Sequence, residues 1–135
     1  MKRILAIDYG ERRCGLAWTD PTRQLALPLD GIATHEVWRW LEERMPQVER
    51  LVIGYPRQLN GAPHPFAKQV ERFIRAFQQR YPHIPVERVD ERFTTQAASR
   101  YLHLLPKKTR RVKAQADRIA ATILLETYLR RGASV

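Results

Sequence analysis

The chain has 135 residues, a length that fits one compact domain spanning 1–135 with a core of its own. Hydrophobic residues make up 44% of it, too many for a disordered polyelectrolyte, and the single cysteine, Cys14, excludes an internal disulfide. Lys and Arg number 24 against 14 Asp and Glu, a formal charge of +10 that attracts phosphate backbones and points to nucleic acid as partner.

One unpaired cysteine suits a reducing cytoplasm, with Cys14 filling space as a small hydrophobe. The basic start, MKRILAID, is too short for a signal peptide, and no apolar run has the length of a membrane span, so no membrane partner is expected.

In chain order, Ile4, Leu5, Ala6 and Ile7 are too few for a free helix and suit a strand buried on both faces. Asp8 sits where that strand emerges, and Gly10 is expected to turn the chain with an unusual φ. Glu11 to Arg13 forms a tight link to a second strand, Cys14 to Thr19, and Asp20-Pro21 is a turn signal. Gln24 to Ile32 makes a third strand with Leu25, Leu27 and Leu29 on one face. Pro28 marks it as an edge or as bent. Three strands with short links form an antiparallel meander.

His35 to Met45 reads as a helix, with Thr34 as N-cap and Val37, Trp38, Leu41 and Met45 on one face. Leu51, Val52 and Ile53 form a short buried strand ended by Gly54. After the loop YPRQLNGAPHP, Phe66, Val70, Phe73, Ile74, Phe77 and Tyr81 repeat at helical spacing. Val86 to Val89 starts a fifth strand that runs into Asp90-Glu91-Arg92. Thr94 or Thr95 can cap a short helix, the segment PKKTRRVK is basic, and a last helix runs from about Ala114 to Arg130. Strand–helix–strand units imply parallel pairing by right-handed crossover. The fold class is therefore α/β: a five-stranded mixed sheet, three antiparallel strands and then parallel ones, with helices on both faces. That is the strand plan of the ribonuclease H-like fold, with the first strand central.

Acids recur at the places this plan brings together. Asp8 ends the first strand, and Asp90 and Glu91 end the fifth. Asp117 falls on the apolar face of the last helix with Ala114, Ala120, Ala121, Leu124, Leu125 and Tyr128. A lone charge there is costly and needs a partner. The small residues Ala114, Ala120 and Ala121 let that helix approach the sheet closely and bring Asp117 to the strand ends. Each acid also has a plainer use: Asp90 as a strand-end hydrogen bonder, Glu91 paired with Arg92 or Arg88, and Asp117 paired with Arg118. Together they form an all-oxygen donor set suited to Mg²⁺ or Mn²⁺, and the chain lacks the Cys and His spacing of a zinc site. One ion, or two roughly 4 Å apart, can activate water and stabilise the leaving oxygen of a phosphodiester.

AIDYG with GLAWTD, LVIGYP, DERFTT and ADRIAATILLETYL stand in one order over nearly the whole chain. In this the chain resembles the YqgF (RuvX) family of pre-16S rRNA nucleases and Holliday-junction-resolvase-like proteins. The resemblance implies a ribonuclease H-like fold and metal-dependent phosphodiester cleavage, with Mg²⁺ or Mn²⁺ as cofactor. By matching position it implies Asp8, Glu91 and Asp117 as the catalytic, metal-holding acids. Arg92, Thr94 and Thr95 share a motif with Glu91 and would orient the acids or contact phosphate. Lys107, Lys108, Arg110, Arg111 and Lys113 would contact the nucleic-acid backbone. The implied partner is precursor small-subunit rRNA near its 5′ end, alone or in ribosomal particles, met by a monomer or weak dimer in the cytoplasm. The loop after the fourth strand departs from the family pattern, with Gln58 and Asn60 where an Asn and an Asp are common, which weakens any carry-over of a charged role to it but spares the three acids. The alternatives are a resolvase acting on branched DNA, which requires a two-fold dimer, and a non-catalytic RNA-binding assembly factor. An ATPase of the actin type would need a second domain.

Overall fold

The computed structural model describes residues 2–92 and 110–133. Its sheet has the order β3-β2-β1-β4-β5. The strands are β1 (Arg3–Tyr9), β2 (Arg13–Thr19), β3 (Ala26–Ala33), β4 (Val48–Tyr55) and β5 (Val86–Asp90). β1–β2 and β2–β3 pair antiparallel, whereas β1–β4 and β4–β5 pair parallel. The expected mixed sheet with a central first strand is therefore the observed one. Pro28 lies on an edge strand, one of the two alternatives foreseen, and the ladder shifts register between Leu16 and Ala17 beside it.

Alternation along β1 divides the core. Leu5 and Ile7 face the helices α1 (Val37–Arg44) and α2 (Ala67–Arg80), together with Leu16, Leu51 and Ile53. Ile4 and Ala6 face α3 (Arg110–Arg131), together with Ala17, Val52 and Val89. Helices thus cover both faces, which is why the strands read as continuous apolar runs. Cys14 is fully buried among the α1/α2-side residues.

Several local expectations are corrected. Thr34 opens a short 3₁₀ turn but caps no helix. Its hydroxyl donates to Gly10 O (2.8 Å) and lies 3.4 Å from Cys14 Sγ, so it ties down the β1–β2 link instead. Gly10 does not adopt a positive φ; a Cβ there would lie 2.4 Å from Arg13 O, so the residue is small for space. On α1 the buried tryptophan is Trp40, whose Nε1 donates to Asp30. Trp38 stacks on Phe73 at the edge, under Arg80. α3 begins four residues before Ala114 because Arg and Lys are good helix formers and nothing there breaks the run. The helix foreseen after Thr94, along with Lys107 and Lys108, lies outside the described residues. Among the described residues no helix is long and apolar enough to cross a membrane.

Candidate active site

One row of residues across the sheet accounts for the site. Asp8 pairs with Gly15 on β2, and Gly15 pairs with Gly31 on β3. On the other side Gly54 follows Ile53, the partner of Ile7. This row belongs to the α3 face, since it continues the alternation of Ile4 and Ala6. A Cβ on Gly15 would sit 1.9 Å from Asp117 O, and one on Gly31 would sit 2.5 Å from Ala114 O. The backbone of α3 therefore rests directly on the strands, as glycine inside a strand permits. That approach delivers Asp117 to the neighbourhood of Asp8.

Glu91 arrives from the opposite side. Its N–H donates to Tyr55 O (3.1 Å), one hydrogen bond beyond the last pair of the β4–β5 ladder. Its carboxyl then lies over Gly54, where a Cβ would stand 3.5 Å away, and shares a hydrogen bond with Asp8. Burial pushes the Asp8 carboxyl above its ordinary range, with the Glu91 hydrogen bond opposing it. Glu91 is pushed far up, first by burial and then by the negative charge of Asp8. Two carboxyl groups this close in a half-buried site cannot both ionise cheaply.

Asp117 is in the same cleft but differently engaged. Its Oδ2 accepts from Arg13 Nε at 2.7 Å, so its partner is Arg13 from β2 and not Arg118. Burial raises its pKa, as does Asp8, while Arg13 and Lys113 pull it down. Asp90 is the strand-end hydrogen bonder foreseen for it. Burial pushes its pKa up, but Arg92 outweighs that and holds it below the ordinary range. Arg92 Nε and Nη2 reach Asp90 Oδ2 at 2.9 and 2.5 Å, and Nη1 reaches Leu59 O at 3.4 Å. Arg88 pairs with Glu71 on α2, away from Glu91.

Asp8, Glu91, Asp117 and Arg92 all line one cleft of about 790 Å³, with Arg13, Arg57 and His64 beside them. Lys113 is exposed on the first turn of α3, four residues before Asp117. Arg110 and Arg111 lie on that turn as backbone, with side chains outside the described set, and Thr94 and Thr95 are outside it altogether.

The donor chemistry fits a hard divalent cation, because the set is all oxygen and two of its carboxyls crowd each other. The geometry fits in part: among the described residues, no three acidic, His or Cys side chains stand close enough to hold one ion. Sequence reasoning missed Arg13 as the partner of Asp117; the close approach of the last helix was foreseen from its small residues, but its strand side at Gly15 and Gly31 was missed. Two glycines inside strands were the available signal for the latter.

The chain matches the family model described as "RuvX: Holliday junction resolvase" over residues 2–131. It is 43% identical over 133 residues to a Bacteroides thetaiotaomicron protein named "Putative pre-16S rRNA nuclease", with 96% of each chain covered. Proteins of the same name are similar at 42% from Flavobacterium psychrophilum, over 97% of this chain and 98% of that protein, and at 40% from Christiangramia forsetii, over 96% and 98%. With its ribonuclease H-like sheet and its motifs in place from β1 to α3, the chain belongs to the RuvX family.

Proposed function

We propose that this chain is a divalent-metal-dependent nuclease that hydrolyses RNA phosphodiester bonds, with precursor 16S rRNA near its 5′ end as substrate. The observation that carries the reading is the Asp8–Glu91 contact, two carboxyl groups brought together from β1 and the end of β5 in a cleft wide enough for a nucleotide. Nothing in folding asks for such a pair, whose mutual repulsion costs stability.

In this reading Asp8 and Glu91 would hold the cation, with Asp117 as the third carboxylate of the cleft. The ion would supply an activated water and stabilise the leaving oxygen. The protein's own residues do the rest. Asp8 is rigid because β1 is the central strand, and Glu91 is rigid because its backbone extends the ladder. Arg13 holds Asp117 at the cleft wall. Arg92 locks Asp90 and reaches Leu59, which fixes the far wall. The excess positive charge draws the RNA in. The single free cysteine fits a reducing cytoplasm as the enzyme's compartment. In this reading it acts there as a monomer or weak dimer, on naked RNA or on ribosomal particles.

The family description favours a second reading, cleavage of branched DNA with the same chemistry. One experiment addresses both. Wild type and Asp8→Asn are incubated with precursor small-subunit rRNA and with a four-way DNA junction, with Mg²⁺ or Mn²⁺ and with chelator. The RNA reading expects metal-dependent cleavage of the precursor. The variant should lose more than about 100-fold, the upper end for disturbing even the outer shell of a metal site. Paired nicks in the junction with an intact precursor would transfer the reading to DNA. Equal cleavage by both proteins would place the active site elsewhere.

A further inference from the structure

Among the described residues three arginines line the cleft, and two are committed. Arg13 is bonded to Asp117, and Arg92 to Asp90 and Leu59. Arg57 differs. Its Nε is shielded from solvent and has no hydrogen-bond partner among the described residues. A buried N–H without an acceptor is costly, and native structures keep few of them without a reason.

The backbone that carries Arg57 is well held. Arg57 forms a bridge with Pro63, Gln58 N donates to Ala62 O (3.0 Å), and Gly61 closes the turn at φ +87°. The loop is a small hairpin standing on the end of β4, so Arg57 is presented by a fixed element. Its charge is felt by Asp90 and Tyr55, which places it on the β4–β5 side of the cleft. Arg13 and Asp117 form the β2 side, with Asp8 and Glu91 between the two.

We propose that Arg57 is a substrate-binding residue, its guanidinium taking a non-bridging oxygen of a nucleic-acid phosphate next to the one cut at Asp8 and Glu91. The assignment rests on nucleic acid being the occupant of this cleft. A guanidinium offers a planar fork of donors to a phosphate, and a backbone lying across the acids supplies a phosphate on this side. The competing role is internal: Arg57 as a counter-charge that merely steadies Asp90.

Binding of a single-stranded precursor-rRNA oligonucleotide, in chelator so that no cutting occurs, is measured over a range of salt for wild type, Arg57→Gln and Arg57→Lys. Thermal melting is recorded for each. Arg57→Gln is expected to weaken binding about tenfold and to lower the slope of log K against log salt by about 0.7, one phosphate contact on a single strand. Arg57→Lys should keep the wild-type slope and bind several-fold more weakly, because it keeps the charge and loses the fork. An unchanged slope and affinity in Arg57→Gln, or a fall in melting temperature with an unchanged slope, overturns the proposal. If Arg57→Gln does not fold, wild-type affinity in Arg57→Lys overturns it. Cleavage is scored separately. A wild type that fails to cut with metal, beside an Arg57→Gln that loses its slope, sinks the nuclease reading and supports the phosphate contact.

Discussion

The two faces of the sheet are built from different side chains and serve different ends. On the α1/α2 face large residues interlock: Leu5, Ile7, Leu16, Leu51 and Ile53 meet Val70, Phe73, Ile74 and Phe77. Tyr9, Phe73 and Trp38 stack across it, with ring centroids 4.5 and 4.9 Å apart. On the α3 face the strands offer Ala6, Ala17, Gly15 and Gly31, and the helix backbone comes down onto them. Volume on the first face supplies stability. On the second, the small residues of β1, β2 and β3 let a helix carry a carboxylate to the end of a central strand.

The contrast can be broken from either side, and the largest effect on stability is expected on the bulky face. Phe77 is fully buried and lines no part of the cleft. Phe77→Ala should cost about 4 kcal/mol and lower the melting temperature by on the order of 10 °C. Cleavage measured well below melting should remain at the wild-type level.

Gly15→Ala is the converse. The added methyl meets the Asp117 carbonyl, and overpacking of this kind costs about 2–3 kcal/mol. The loss of cleavage should be out of proportion to that cost, about 10- to 100-fold in fully folded protein, because α3 must move and takes Asp117 with it. Wild-type cleavage in Gly15→Ala would show that the close approach does not position the site.

The smallest effect sharpens the comparison by pH. On the α2 side Glu71 accepts from Arg88 at 2.8 and 2.9 Å, and its pKa is lowered chiefly by those bonds, with help from Tyr55 and Arg75. A lowered folded pKa means that the stabilisation is fully present above the ordinary value of 4.5 and is lost as pH falls through the folded value. The pair is partly exposed and is worth no more than about 1 kcal/mol. Glu71→Gln should melt slightly below wild type at about pH 6, and the gap should close by about pH 3. A gap that widens in acid would contradict the assignment.

Much of this was legible in the chain. The apolar run before Asp8, the proline in β3 and the helical spacing from Phe66 to Tyr81 are local patterns, and the elements they predict are present. Errors arose where a residue's role depends on what folds against it. Thr34 has an N-cap's composition but is occupied by Gly10. Trp38 and Trp40 cannot be ranked by periodicity, because α1 meets a core whose direction the sheet sets. Arg57 is not singled out by the sequence, because nothing local sets it apart from the chain's other arginines, yet it lines the cleft.

By itself the sequence determined the strand and helix order, the central place of β1 and the acids at the strand ends, since these follow from local periodicity and crossover rules. Tertiary structure decided which acids meet. Asp8 shares a hydrogen bond with Glu91, whereas Asp117 takes Arg13, a partner 104 residues away. That choice depends on how closely α3 settles on Gly15 and Gly31. Small residues on the helix and two glycines in the strands signal that the approach can be close, but only the register of three strands brings them into one row.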